Sequence, residues 1–307
     1  MGFHATLQQL RLFEAVARHQ SYTTAAAEVH LSQPAVSIQV KRLEEQLGMP
    51  LFEKIGRRIF LTAAGRELFA ACSEIFGRLE RVEATLEEMR GEVAGPLRVG
   101  VVTTAKYVLP HLLGEFLRRY PKVEPHLKVS NRARILQRFD ENLDDLYILG
   151  HAVADREVED HPFLDDQLVV FASPKHPLAG RKRIPVETLA RERFLFREEG
   201  SGIRTTLEAF LEGHGVAVTP YMELGSGEAI KQAVMADIGI GMLSTLSLRL
   251  EVETGRLAVL DVQDLPIRRQ WRAVYPRGKV LSKAAQTFVE FMEENAAASL
   301  GPNGGAR

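Results

Sequence analysis

At 307 residues the chain is too long for one hydrophobic core, so two or three domains are expected. Its apolar fraction of 45% and charged fraction of 26% are ordinary for a globular protein in water, no apolar run approaches the ~20 residues of a membrane span, and the first residues lack a signal-peptide pattern. The single cysteine, Cys72, excludes an internal disulfide and suits a reducing, cytoplasmic compartment, and the net charge of −1 excludes a chain that is basic throughout.

The charge is nonetheless uneven. Up to Arg66 eight lysines and arginines face five glutamates, a modest basic footprint that suits a module binding as a multimer. Leu7, Leu10, Phe13 and Val16 mark a first amphipathic helix ending near His19-Gln20. Ser21 then caps a second, short helix whose Ala25 and Ala26 are small enough for a close crossing. A four-residue joint, Val29-His30-Leu31-Ser32, leads into a third helix with Ser32 as its N-cap and Gln33 and Pro34 in its first turn.

In that third helix Val36, Val40, Leu43 and Leu47 form one apolar face, and Gln33, Ser37, Lys41 and Glu44 fall opposite, flanked by Ile38 and Arg42. Amides, hydroxyls and cations on one helical face are the groups that read base edges and grip phosphates. The pair therefore reads as a helix-turn-helix, with an ordinary surface helix pair as the competing reading. Thr23, in the helix before the joint, completes the candidate contacts on that side.

Gly48 ends the pattern. Leu51 to Lys54 and Arg58 to Leu61 are β-prone runs joined through Gly56, a hairpin with Lys54, Arg57 and Arg58 near its tip and suited to a phosphate backbone. Thr62 caps a long helix from Ala63 to Arg90. Leu68, Cys72, Ile75, Leu79, Val82, Leu86 and Met89 recur in it as a heptad seam, for which a partner helix from a second subunit is expected. Packing of that seam on the chain's own C-terminal part is the alternative. Gly91 to Pro96 reads as a hinge.

From Leu97 strands alternate with helices, the sign of βαβ units and a mostly parallel sheet. Strands are expected near Arg98–Val102, Glu124–Val129, Leu146–Gly150, Gln167–Ala172, Phe194–Phe196, Tyr221–Leu224, Gly239–Leu243 and Gln270–Tyr275. Helices are expected through Leu117, over Ile135–Leu143, after Gly202, over Glu228–Met235 and from about Ser282 to Asn295, before a disordered tail. In such domains ligands bind where strands end and helices begin. Thr103-Thr104, Asn131-Arg132, Ser201-Gly202 with Arg204, and Ser226 stand at such places, and together they favour an anion carrying carboxylate or phosphate. No Ser/His/Asp phrase, phosphate loop or HExxH is present and the nine histidines lack metal-ligand spacing, so neither an enzyme nor a metal site is expected.

The phrases Leu10-x-x-Phe13, Ala25-Ala26, Leu31-Ser32-Gln33-Pro34-Ala35-Val36-Ser37, Leu43-Glu44-x-x-Leu47-Gly48, Pro50-Leu51-Phe52-Glu53 and Leu61-Thr62-x-Ala64-Gly65 resemble those of the LysR-type transcriptional regulators. This resemblance implies an α/β chain of three parts: a winged helix-turn-helix (1–62), a linker and dimerisation helix (63–92), and a two-lobed effector domain resembling periplasmic binding proteins (93–300). Lobe I would hold 96–163 and 268–296 and lobe II 164–267, with crossings near His161–Phe163 and Pro266–Arg269. Asp237 departs from the family, which usually has glycine there. The partners it implies are double-stranded DNA, a second copy in a dimer or tetramer, RNA polymerase, and a reversible anionic effector, with no resident cofactor. Thr104-Ala105-Lys106-Tyr107, Val129-x-Asn131-Arg132, Asp145-Leu146-x-Ile148-Leu149-Gly150 and Arg197-Glu198-x-Gly200-Ser201-Gly202-x-Arg204 are similar to regulators of RuBisCO operons. That similarity implies an activator of carbon-fixation genes responding to phosphorylated metabolites. A regulator of another operon, and an architectural DNA binder without ligand gating, are the rival readings.

Overall fold

The computed structural model describes residues 5–56, 58–88 and 92–299. Arg57 of the expected hairpin tip, Met89 of the seam, Gly91 of the hinge and the tail lie outside these residues. The chain divides into two compact units, Met1–Glu83 and Ala84–Arg307.

The first unit holds α1 (Leu7–His19), α2 (Tyr22–Glu28), α3 (Gln33–Leu47), the hairpin β1 (Phe52–Ile55) and β2 (Arg58–Leu61), and most of α4 (Ala63–Glu88). Each helix begins where a side-chain oxygen satisfies orphan backbone donors. The Thr6 hydroxyl accepts from Gln9, Ser21 from Thr24, Ser32 from Ala35 and Thr62 from Gly65. Gly48, at φ +70°, ends α3 in the left-handed region where a side chain would be strained. Leu10, Phe13 and Val16 of α1 and Val36, Val40 and Leu43 of α3 close one core around Ala25 and Ala26. Each such side chain contributes about 1.5–3 kcal/mol by leaving water. Leu7, expected on that face, is exposed before the core begins.

Cys72 and Leu68 belong to this same core rather than to a free seam. Cys72 is fully buried and Leu68 half-buried against the helix-turn-helix. Further along α4, Ile75, Leu79, Val82 and Leu86 are exposed, so only this later part of the heptad presents an uncovered apolar stripe.

The second unit contains β3 (Gly95–Val102), α5 (Leu109–Arg119), β4 (Val123–Ser130), α6 (Arg132–Asp140), β5 (Leu146–Leu149), β6 (Val158–Ala172), β7 (Phe194–Arg197) and α7 (Gly202–Gly213). It continues with β8 (Met222–Leu224), α8 (Gly227–Met235), β9 (Ile240–Ser244), α9 (Thr245–Glu253), β10 (Ala258–Val259), β11 (Ile267–Pro276) and α10 (Lys283–Ser299). The sheet order is β4-β3-β5-β11-β6-β9-β7-β8, with β10 also on β6. The outer strands are parallel, but β6 and β11 pair antiparallel through the centre, so both expected crossings are strand rather than loop.

Two large cores flank this central pair, beside a smaller one around Phe139 and Tyr147. One collects β3, α5 and α10 around Trp271, with Phe116 against Phe288 and Phe291. The other collects β6, β7, β9 and helices α7, α8 and α9. They define a first and a second lobe. Three elements escaped the sequence reading: a 3-10 turn at Val186–Arg191, α9, whose cap is Ser244, and the short β10. Asp237 sits at φ +59°, a left-handed position that aspartate tolerates, so its departure from glycine leaves the fold intact.

Candidate functional site

The recognition face of α3 follows from its burial. With Val36, Val40 and Leu43 inward, Gln33, Pro34, Ile38, Lys41 and Arg42 are exposed and Ser37 is half-buried. Thr23 is exposed on α2, and Lys54 and Arg58 are exposed on the hairpin. Glu44 does not join this face. Its carboxylate accepts from the backbone N–H of Leu51 at 2.8 Å and of Phe52 at 3.2 Å, tying the start of the hairpin to the end of α3. With that acid occupied inward, the outward polar groups of α3 are amide, hydroxyl and cation until Glu45.

A second clamp orients the helices. Arg18 on α1 pairs with Glu14 at 3.0 Å and with Glu28 of α2 at 2.6 Å, and His19 also contacts Glu28. The Arg18 hydrogen bond, with help from His19, pulls the Glu28 carboxyl down to about 2.

In the second unit an open cleft lies between the lobes. Thr103 and Thr104 open a short 3-10 turn after β3, Asn131 and Arg132 open α6 after β4, and Ser201 and Gly202 open α7 after β7; all six line this cleft. Asn131 spends its carbonyl oxygen on the N–H of Arg134. The buried Ser201 hydroxyl, in contrast, makes no capping bond.

Arg204 and Ser226 are not in the cleft. The Arg204 guanidinium pairs with Glu208 at 2.8 Å and with Glu223, and also donates to the Arg197 carbonyl. A helix advances about 100° per residue, and the two steps from Gly202 to Arg204 carry the side chain to a surface where acids from α7 and β8 neutralise it. Ser226 caps α8 through the Ala229 N–H.

Two residues not singled out as candidates in the sequence, Arg269 and His151, line the cleft instead, and a third, Arg197, braces its wall. The Arg269 side chain on β11 is buried; its Nε donates to Asp166 Oδ2 at 2.7 Å while its guanidinium lies over the Trp271 ring. Its Nη2 is buried with no hydrogen-bond partner among the described residues. An added Cβ at Gly150 would meet Arg269 Nη1 at 2.8 Å, so glycine there leaves room for the guanidinium. His151 follows, with Nε2 at 3.0 Å from Thr206 Oγ1 and 3.4 Å from Arg269 Nη1. Burial, then Arg269 and Arg132, hold its pKa down to about 4, so the ring is neutral at ordinary pH. The third is Arg197, buried in β7, which pairs with Glu198 and donates to Thr103 Oγ1 at 3.2 Å across the lobes. For His151 a signal did exist, since it directly follows a strand at the end where such sheets bind ligands. Arg269 lay within the expected crossing but carried no spacing cue.

Further bonds close the lobes on one another. The Ala133 N–H donates to the Gly200 carbonyl at 3.1 Å, and Tyr107 OH donates to Glu228 at 3.2 Å. Among the described cleft residues the charges are Arg132 and Arg269, and the nearby acid Asp166 is already engaged by Arg269 and by Ser244 Oγ. Desolvated guanidinium groups beside helix N-termini form a receptor for an anion.

Residues 7–66 match the family model of the bacterial regulatory helix-turn-helix protein, lysR family, and residues 90–297 match the LysR substrate binding domain. The chain is similar to the RuBisCO operon transcriptional regulator of Allochromatium vinosum, 46% identical over 294 residues that cover 96% of this chain and 97% of that one. Among solved structures, the regulatory domain of CcmR from Synechocystis PCC6803, in complex with 2-PG, matches with TM-score 0.63 at 44% identity, covering 65% of this chain and 96% of that one. A full-length OxyR variant from Pseudomonas aeruginosa matches with TM-score 0.72 over 98% of this chain and 97% of its own, and at 24% identity it bears on the fold alone. Two successive domain matches and close identity along nearly the whole length lead to one conclusion: the chain belongs to the LysR family of bacterial helix-turn-helix regulators.

Proposed function

We propose that this protein is a transcriptional regulator of carbon-fixation genes whose grip on DNA changes when a small phosphate- or carboxylate-bearing metabolite enters the cleft. The observation that carries the ligand half is the buried Arg269 Nη2, a charged donor without a partner inside a recess lined by helix N-termini. A charge so desolvated calls for an anion to complete its hydrogen bonds. The 2-PG bound to the CcmR regulatory domain is a phosphorylated metabolite, 2-phosphoglycolate, and carries the charge such a recess attracts. The similar regulators of RuBisCO operons support carbon fixation as the regulated process.

For the DNA half, Thr23, Gln33, Pro34, Ser37 and Ile38 approach base edges while Lys41, Arg42, Lys54, Arg57 and Arg58 neutralise phosphates. Exposed Leu79, Val82 and Leu86 on α4 supply a pairing surface, and a paired protein reads a near-palindromic site. The module boundaries follow: a reading domain over 1–62, a pairing helix over 63–92 and an effector domain over 93–300.

The deciding experiment measures binding of the full chain to the DNA upstream of a RuBisCO operon, by footprinting and fluorescence anisotropy, with and without 2-phosphoglycolate and other small organic anions. The expected result is a salt-sensitive, near-palindromic footprint whose length or affinity changes with one of these anions. A footprint unchanged by every anion would leave an architectural protein without ligand gating.

A further inference from the structure

Building on the anion-binding reading of the cleft, we propose that His151 is a ligand-side specificity residue that takes up one proton from solvent when a dianion binds, so that the protein binds the anion and the proton together. Arg132 of α6 and Arg269 of β11 face the ring with positive charge, Asp166 of β6 is spent on Arg269 and Ser244, and α7 brings uncharged groups, the Thr206 hydroxyl and the chain at Gly202, with Ser201 beside them in the cleft.

The Thr206 hydroxyl carries one hydrogen, and its oxygen lies 2.8 Å from the Gly202 carbonyl and 3.0 Å from His151 Nε2. A neutral ring with Nε2 bare accepts from Thr206 or, at 3.4 Å, from Arg269 Nη1. When Nε2 takes the Arg269 hydrogen, that donor is occupied by the ring. A protonated ring reverses the chain: Nε2–H donates to Thr206 Oγ1, the hydroxyl donates to Gly202, and Arg269 Nη1 is released. Protonation therefore frees a second guanidinium hydrogen, besides those of the partnerless Nη2, for a ligand.

In the free protein the two guanidinium groups and burial oppose this protonation and keep the ring neutral. A dianion in the cleft reverses the sign of the local field, and an opposite charge within ~4–6 Å favours the charged form of a titrating group. The sign follows directly. The bound state has the raised pKa, so affinity strengthens as pH falls toward it and flattens well above it, with a limiting slope of about tenfold per pH unit for one proton. A monoanion returns less field to the ring, so His151 discriminates by ligand charge.

The test is calorimetry on the full chain in two buffers of unlike ionisation enthalpy, from about pH 6 to about pH 8. The probes are 2-phosphoglycolate and inorganic sulfate; sulfate keeps its charge throughout this range, so its proton uptake comes from the protein. Wild type is expected to take up a proton fraction that rises toward one as pH falls, with sulfate binding strengthening several-fold. His151→Gln keeps a side chain able to bond Thr206 and is expected to bind sulfate with a flat pH profile and no buffer dependence. Titration of the His151 ring by NMR, with and without sulfate, gives the same answer in unmutated protein. Binding without proton uptake, or an unchanged slope in His151→Gln, overturns the proposal. If neither anion binds wild type, the reading of the cleft as an anion site fails, and this inference fails with it.

Discussion

Arg269 and Asp166 are 103 residues apart in sequence and meet at 2.7 Å, with side chains 6% and 0% exposed. Asp166 uses its other oxygen to accept from Ser244 Oγ at 2.6 Å. Both carboxylate oxygens are thus committed, and the guanidinium is held with Nη2 free. Replacing Asp166 with Asn removes the countercharge from a buried cation, which costs about 3–5 kcal/mol. Urea unfolding should report a loss of that order, and anion affinity should fall at least tenfold because Arg269 is no longer aimed. An anion affinity equal to wild type would show that Arg269 does not contact the ligand.

Arg204 gives the opposite expectation. Its charge is already answered by Glu208 and Glu223, so Arg204→Ala should change anion affinity by less than about twofold. Pairs at a protein surface are worth about 0–1 kcal/mol, and the melting temperature should move by only a few degrees. A large loss of anion affinity on calorimetry would place this residue in the site after all.

On DNA, the exposed cations and the polar groups of α3 should separate in kind. Arg58→Ala is expected to weaken every sequence alike and to lower the salt slope by about one, whereas Gln33→Ala should cost about 1–3 kcal/mol at one base-pair position. Anisotropy against a panel of site variants at several salt concentrations distinguishes them. An altered base preference in Arg58→Ala would contradict the division.

Along α4 the same heptad stripe should respond in two ways. Leu79 and Val82 are exposed, so replacing both with Glu should leave the fold intact and abolish self-association. Cys72 is buried, and Cys72→Ser should instead lower the stability of the first unit by about 1–3 kcal/mol. Sedimentation and thermal melting of both variants check this; a wild-type protein sedimenting as a monomer would remove the pairing role.

The Arg18–Glu28 clamp adds a pH dependence. Because the folded Glu28 carboxyl is lowered to about 2, its contribution is present above the unfolded value near ~4.3 and is lost as pH falls toward 2. Glu28 is partly open to water, so the screened contribution is about 1 kcal/mol or less. Glu28→Gln should flatten the acid limb of a stability-against-pH curve by that amount; an unchanged limb would show that the clamp contributes nothing.

What the sequence determined by itself was whatever depends on neighbours close along the chain. Ser32, Pro34 and Gly48 set the ends of α3 because caps act within one turn, and Val36, Val40 and Leu43 set its inner face because helical period is local. The same locality made the loop after β3 and the starts of α6 and α7 legible as cleft walls. The tertiary structure decided what depends on which distant group arrives. Glu44 turned inward because the backbone of Leu51 and Phe52 lay there unsatisfied. Glu223 reached Arg204 from β8 and took it out of the cleft, while the antiparallel pairing of β6 with β11 delivered Arg269 to Asp166. Cys72 and Leu79 share one stripe, yet only Cys72 reaches the core of its unit. Ion pairs and burial are properties of packed neighbours, and those neighbours are chosen by the fold of the whole sheet rather than by spacing along the chain.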